Sequence, residues 1–353
     1  MGSDVSARRR ILSVDVLRGL TVACMILVNN GYGESFAQLR HSAWNGLTLS
    51  DMVFPFFLFI VGLSVNLSRK QDPGRILRRA VTILLLGWAV YYVEFALAGD
   101  FLPWDHFRLT GVLPRIALCY LGAALLSRRL RTGSLAWVAG VLLVLYAGLR
   151  WLGDGYACAE GSILCRTDRF LLGPAHLDRK SVIDPEGLLS TVPSLAHTLL
   201  GCVCGRLLVS RERLPVRLRR IALYGLLLAV AGFCLHFLLP FNKRIWSPSY
   251  ALFTSGCCAL LLAGLGWLID ERGISGWTPF FTAFGRNALA IYVLSELLSA
   301  VFSRTGLSDA LYGLLGRAGL SAPWTSLAYS LCIVLLNYAA AWFLNKKKFY
   351  IKV

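Results

Sequence analysis

The chain has 353 residues, of which 56% are hydrophobic and 16% charged, and 36 Lys and Arg against 19 Asp and Glu give a formal charge of +17. That composition excludes a disordered or collagen-like chain, and a mean hydropathy of +0.62 leaves too few polar residues to clothe a soluble core of this size. An all-α polytopic membrane protein is expected: one helical crossing takes roughly 20 apolar residues, and the chain has room for about ten.

Residues 1–10 read as a flexible cytoplasmic N-terminus. Arg8, Arg9 and Arg10 lead into the first apolar segment with no small-residue cleavage site nearby, so that segment is expected to be retained as a span. Apolar segments follow near 16–33, 52–68, 76–98, 111–127, 134–152, 188–209, 218–239, 249–269, 279–302 and 322–344. They are about twice as long as membrane strands and lack period-two alternation, so helices are expected rather than a barrel. Together they form a single transmembrane domain over 11–353. Lys and Arg concentrate in the connections on the N-terminal side, about 23 against about ten opposite, which puts both termini in the cytoplasm. Clusters such as Arg69 to Arg79 and Arg206 to Arg220 sit at helix ends, where membrane lipid headgroups, not nucleic acid, are the partner expected.

Eight of the ten cysteines fall inside apolar segments and read as small packing residues. Cys158 and Cys165 share the outer loop 153–187, where an oxidising compartment permits a bridge, and both the disulfide and two free thiols are open. No Cys/His set has metal spacing and no Ser sits in a nucleophile elbow, so no metal is expected.

The densest polar cluster runs from Asn29 and Asn30 at the end of the first span, through His41, Trp44 and Asn45 in the following loop, to Asp51 at the head of the second. Asn amides at membrane depth must face the bundle or a watered cavity. A histidine near its unperturbed pKa of about 6.5 can take a proton from an amine or hydroxyl; the plainer reading of His41 is an interfacial ring beside Trp44. Asp51 suits a helix N-cap, and equally the orientation of a catalytic histidine.

Other polar positions carry two readings each. Asp15 and Arg18 have i, i+3 spacing for an ion pair. Arg115, a turn inside the fourth span, needs a partner such as Glu94 or the anion of a ligand. Arg286 and Asn287 follow Gly285 near Lys346, Lys347 and Lys348, a set that fits a polyanion or a lipid-headgroup anchor. His197 and His236 read as packed, hydrogen-bonded histidines. Asn242, Lys243, Trp246, Ser249 and Tyr250 mix donors with aromatic faces, which suits a sugar as well as a membrane interface.

In this order the residues resemble the heparan-α-glucosaminide N-acetyltransferase family and its bacterial relatives, from Ile11 to Val353. The carriers are Ser13-Val14-Asp15 with Arg18-Gly19, then His41-Ser42-Ala43-Trp44-Asn45-Gly46-Leu47-Thr48 leading to Asp51-Met52-Val53-Phe54-Pro55. Further pieces are Gly111 to Ile116, Asp184-Pro185-Glu186-Gly187, Asn242-Lys243 with Trp246 and Tyr250, Gly285 with Asn287, and the closing lysines. The resemblance implies a membrane acetyltransferase that takes acetyl-CoA from the cytoplasm and acetylates an amino sugar on the far side. It implies that His41 is the active histidine and that Asn30 helps at the acetyl group; an orienting role for Asp51 follows from chemistry. Acceptor contacts are expected from Trp44, Asn45, Glu186, Asn242, Lys243, Trp246 and Tyr250. Donor contacts are expected from Arg286, Asn287, Lys346, Lys347, Lys348 and Arg115, with the thioester reaching His41 through a pocket lined by spans one, two and nine.

The human member of the family has a lumenal N-terminal segment and an additional helix before the part matched here, so lysosomal trafficking and heparan sulfate are not carried over. A bacterial inner membrane and a periplasmic glucosamine-type acceptor are expected instead, with a homodimer left open. Two rivals stand beside this reading: an O-acetyltransferase of a cell-envelope sugar, and a transporter of a sugar or lipid-linked intermediate. His41 as acetylated nucleophile and His41 as general base are both open.

Overall fold

The computed structural model describes residues 11–68, 72–149, 152–178 and 181–350. The N-terminal segment 1–10 lies outside the described residues, as do Arg69, Lys70, Arg150, Arg179, Lys180 and Lys352 from the charge count.

All ten apolar segments are helical. They correspond to α1 (Leu12–Asn29), α2 (Leu49–Leu67), α3 (Pro73–Leu97), α4 (Val112–Arg129), α5 (Thr132–Gly148), α7 (Leu188–Leu208), α8 (Leu214–His236), α9 (Pro248–Leu265, continued by a π-helical turn over Gly266–Glu271), the pair α10 (Thr278–Arg286) and α11 (Ala288–Thr305), and α13 (Ala322–Lys346). The ninth segment is thus two helices, broken at Asn287. Two short helices in connections, α6 (Ile163–Leu172) and α12 (Leu307–Gly316), lie outside the ten segments. Among the described residues no strand is present. Among the described residues eight helices are long and apolar enough to cross a membrane. The other two long segments fall short for local reasons: α4 carries Arg115, Arg128 and Arg129, and α5 has only 17 residues.

The core of the bundle is α2 against α7. Along these helices 67% and 72% of the apolar window is buried, against 22% in α3, α8 and α11, which therefore stand at the periphery. Glycines set how closely the central helices approach, because without a Cβ one backbone can lie directly on another. A Cβ at Gly62 would fall 1.9 Å from the carbonyl oxygen of Thr198, and one at Gly201 would fall 2.2 Å from that of Phe59. The same device joins α1 to α10, where a Cβ on Gly19 would meet the Phe281 carbonyl oxygen at 1.8 Å. Outward faces are apolar, as at Leu85, Leu145, Leu223 and Leu227, each more than half exposed, which is what a lipid-facing surface requires.

Hydrogen bonds tie one end of the bundle together through basic residues. Arg18 Nη2 donates to Ser64 Oγ (2.9 Å), Arg206 Nη2 to the carbonyls of Ser127 and Leu130 (2.6 and 2.9 Å), and Arg286 Nη1 to Asn345 Oδ1 (2.7 Å). The expected Asp15–Arg18 pair is present at 3.5 Å. The opposite end holds the loops that carry His41, Glu186 and Lys243. Cys158 and Cys165 are both free, so the bridge that their loop permitted is not made; Cys165 is buried and its thiol donates to the Val182 carbonyl at 3.3 Å.

Candidate active site

The loop between α1 and α2 is fastened to Asp51. Thr48 caps α2 by accepting from the Asp51 amide, while Asp51 Oδ2 accepts from Thr48 N (3.2 Å), Thr48 Oγ1 (3.0 Å) and Ser42 N (3.1 Å). This is a reciprocal capping box, which satisfies donors a helix start would otherwise leave open. The second carboxylate oxygen, Oδ1, lies 3.0 Å from His41 Nδ1. Asp51 is wholly buried while His41 is 47% exposed, so the carboxylate is fixed from below and the ring stands at the surface. The carboxylate faces Nδ1, so Nε2 is the ring nitrogen turned away from Asp51.

Pro55 extends this support. Lacking an N–H, it leaves the carbonyl of Asp51, four residues earlier, without its helical partner; Tyr250 OH, from α9, donates to that oxygen at 2.5 Å. The carbonyl of Pro55 itself faces His197 Nε2 at 2.8 Å, and Ser255 Oγ lies 3.2 Å from His197 Nδ1. His197 is therefore the packed, hydrogen-bonded histidine expected.

The loop between α8 and α9 closes over the same place. Gly46 N donates to the Phe241 carbonyl (2.9 Å), Asn242 Nδ2 donates to Asn45 Oδ1 (3.1 Å), and Asn242 Oδ1 accepts from Ile245 N (3.2 Å). Lys243 Nζ reaches 3.1 Å from His41 Nδ1, 3.3 Å from His41 Nε2 and 3.8 Å from Asp51 Oδ1. Burial draws the Lys243 pKa below the ordinary lysine range, while Asp51 and Glu186 act to raise it.

The third element is the turn before α7. Asp184 sits at its hub and accepts from Arg108 Nη2 (2.8 Å), Thr110 Oγ1 (2.5 Å), Asp178 N (2.8 Å) and Glu186 N (2.8 Å). Against the cost of burial, the Arg108 guanidinium and these donors hold its carboxyl below the usual range. Glu186 shares Arg108 Nη2 at 2.8 Å. Nearby, Asp168 accepts from the amides of Leu188 and Leu189 (2.9 and 3.4 Å) at the start of α7, and burial raises its pKa from 3.8 to about 6.

The structure therefore brings together His41, Asp51, Asn45, Asn242, Lys243 and Tyr250, with Glu186 within electrostatic range of Lys243. Trp44 instead packs among Tyr146, Leu164, Cys165, Ile183 and Ile245. Trp246 is buried edge-on to Phe54, His197 and Tyr250, and Arg115 lies under its ring at 5.4 Å. Arg115 donates to the Gly187 carbonyl (3.0 Å) and to Ser190 Oγ, not to Glu94. Asn30 is buried at the end of α1; its Nδ2 donates to the Ile26 carbonyl at 2.8 Å and its carbonyl accepts from Ser330 Oγ at 3.1 Å. No hydrogen bond among the described residues joins Asn30 to His41.

A cleft of about 470 Å³ opens toward the basic end. The first, second and ninth spans line it through Arg18, Phe57, Ser64, Gly285 and Arg286, and α3 and α4 add Arg79, Ile116 and Tyr120. Among the described residues its lining holds three guanidinium groups and no carboxylate. Arg79 stacks on Tyr120 at 4.8 Å. Phe57, one of the lining residues, is six residues from Asp51 on α2, about 9 Å of helix rise. Arg18 and Arg79 were not singled out for this role, because each reads in sequence as one more basic residue at a helix start. Asn287 Nδ2 donates to the Phe349 carbonyl at 3.1 Å. Lys346, Lys347 and Lys348 are exposed and outside the cleft lining; the first two lie over Trp342 and Phe343, as an interfacial anchor does.

Comparison with known proteins yields one family model and two curated relatives. The family model, described as heparan-alpha-glucosaminide N-acetyltransferase, catalytic, matches residues 10–241. The Mus musculus protein named heparan-alpha-glucosaminide N-acetyltransferase is 29% identical over 363 residues, covering 84% of this chain and 55% of the relative. The Homo sapiens protein of that name is 28% identical over 360 residues, covering 83% and 54%. The chain thus spans about half the length of the curated relatives it matches. Asn30, His41, Asp51 and Glu186 lie inside the family match, and Asn242, Lys243 and the α10–α11 break lie beyond it.

Proposed function

The chain belongs to the heparan-alpha-glucosaminide N-acetyltransferase catalytic family, and from that premise we propose that it is a transmembrane acetyltransferase acting on the amine of a glucosamine-type sugar. The donor in this reading is acetyl-CoA. Its phosphates meet Arg18, Arg79 and Arg286 at the cytoplasmic end, and its thioester arm rises through the cleft toward His41. Arginine suits that role because its planar fork bonds phosphate oxygens directly. The acceptor arrives at the loop end, on the periplasmic side of a bacterial inner membrane, among Asn45, Glu186 and Asn242.

The observation that carries the reading is the His41–Asp51 pair at 3.0 Å, set at the mouth of the bundle above the arginine cleft. A buried carboxylate on Nδ1 fixes the tautomer that presents Nε2 as a base, and it stabilises the imidazolium formed when the base takes a proton. Direct attack by the sugar amine on the thioester is preferred, since it requires no acetylated imidazole. Asn30 has a second amide hydrogen beyond the one given to Ile26 and is assigned to the carbonyl oxygen of the acetyl group.

Purified protein in detergent, given labelled acetyl-CoA and either glucosamine or N-acetylglucosamine, tests the proposal. Label in glucosamine alone supports N-acetylation. Label in both moves the assignment to an O-acetyltransferase, and failure to bind acetyl-CoA together with sugar flux into vesicles moves it to a transporter.

A further inference from the structure

We propose that Lys243 is a catalytic residue of this site: its ammonium, held against the imidazole of His41, stabilises the oxyanion that forms when the acceptor amine adds to the acetyl carbonyl. This inference rests on the acetyltransferase reading above and assigns Lys243 to the reacting atoms rather than to the sugar.

The position of the ammonium makes the case. Nζ lies at nearly equal short distances, 3.1 and 3.3 Å, from the two ring nitrogens of His41. A group seated on a nitrogen lone pair lies in the ring plane beyond that nitrogen and much farther from the other. Near-equal distances therefore set the ammonium against the ring between the nitrogens, where it does not cap Nε2. Nδ1 is already held by Asp51. The charge consequently sits within one contact distance of whatever atom Nε2 engages, without blocking it.

The surroundings hold it there. The Lys243 side chain is only 16% exposed, on a loop pinned by the Asn242–Asn45 and Gly46–Phe241 bonds. The charged and titratable groups facing it are His41 from the α1–α2 loop, Asp51 from α2, Glu186 from the turn before α7, and the adjacent Arg244. The other donors near Asp51, Ser42 N, Thr48 N and Thr48 Oγ1, are already committed to its carboxylate. A partly desolvated cation beside a forming charge acts far more strongly than one in water.

The neutral amine adds to the carbonyl carbon as His41 Nε2 takes one of its protons, and the carbonyl electron pair moves to oxygen, opposite the Lys243 ammonium. Collapse of that intermediate breaks the carbon–sulfur bond. The departing thiolate takes the proton from His41, leaving the amide and free CoA. A fixed cation here also disfavours the ammonium form of the acceptor, so only the neutral amine binds productively.

The test uses the full-length protein in detergent, comparing the parent with Lys243→Arg and Lys243→Met across pH, after melting curves and CoA binding establish that each variant is folded. Because burial lowers the Lys243 pKa, the parent should lose its cation, and with it kcat, on the alkaline side below the ordinary lysine range. Lys243→Arg stays charged, so its alkaline limb should move to higher pH. Lys243→Met should lose about 10²-fold or more in kcat, the usual effect of removing an oxyanion donor, with KM for the amine little changed. A parent that transfers no acetyl group sinks the underlying reading itself. With an active parent, a Lys243→Met kcat within a few fold, or a Lys243→Arg alkaline limb coincident with the parent's, overturns the role of Lys243. If Lys243→Met does not fold, the Lys243→Arg profile alone decides.

Discussion

His41 stands half exposed at the surface, yet its Nδ1 lies 3.0 Å from Asp51, a carboxylate with no exposure at all. Asp51 does not depend on the histidine for its place. The Thr48 and Ser42 donors hold its side chain, and Tyr250 holds the backbone carbonyl that Pro55 leaves open. The partner of His41 is therefore fixed by bonds that do not involve the histidine, which is the support that a preorganised base would need.

Asp51→Asn keeps an oxygen for the Ser42 and Thr48 donors but offers the ring an uncharged partner that can favour the wrong tautomer. We expect kcat to fall by roughly 10³-fold or more, as when a triad carboxylate is made an amide, with the melting temperature little changed. A variant within tenfold of the parent would remove Asp51 from the chemistry and leave it a helix cap.

The arginine cleft and the C-terminal lysines make opposite predictions. Arg79→Ala and Arg286→Ala should each raise KM for acetyl-CoA about tenfold or more, since a charge-assisted hydrogen bond contributes about 1.5–3 kcal/mol. A short acetyl thioester lacking the nucleotide should react equally with parent and variants. Replacing Lys346, Lys347 and Lys348 together by Ala should leave KM unchanged, because all three are exposed and two lie on aromatic rings facing outward. Steady-state kinetics with the two donors separates the sets; a KM effect confined to the lysines would relocate the donor site.

Asp168 gives the fold a pH signature. Its pKa rises on folding from 3.8 to about 6 through burial, so the folded state binds the proton more tightly than the unfolded chain. Stability is then full below about pH 4 and declines as pH rises through 6, by about 3 kcal/mol at most. Asp168→Asn keeps an acceptor for the Leu188 and Leu189 amides but does not titrate. Melting temperatures between pH 4 and 7 should fall in the parent and stay level in the variant; parallel curves would contradict the assignment.

Much of this was legible in the sequence because membranes simplify folding rules. Every long apolar segment became a helix, since backbone polar groups in lipid must be satisfied within the segment. The His41–Asp51 relationship was legible as one of two readings, because a carboxylate at the head of a helix suits capping and the orientation of a histidine alike; the structure shows Asp51 doing both. Other parts depend on packing between distant helices. Nothing local to Asn287 distinguishes one span from two, and the break follows from α10 lying on α1 through Gly19 and Gly285. Arg18 and Arg79 share a cleft only because α1 to α4 converge there. Arg115 read as needing a protein partner or a ligand anion, and the partners it has, Gly187, Ser190 and Trp246, come from distant segments. The packing of Trp44 against the outer cluster of Tyr146, Leu164, Cys165, Ile183 and Ile245 likewise depends on segments far from it in sequence.

The most direct measurement is the rate of acetyl transfer to glucosamine by His41→Ala beside the parent, with acetyl-CoA binding measured on both. The parent should transfer the acetyl group, and the variant should bind acetyl-CoA with unchanged affinity but show a kcat lower by about 10³-fold or more. A His41→Ala protein that still transfers at a comparable rate would contradict this.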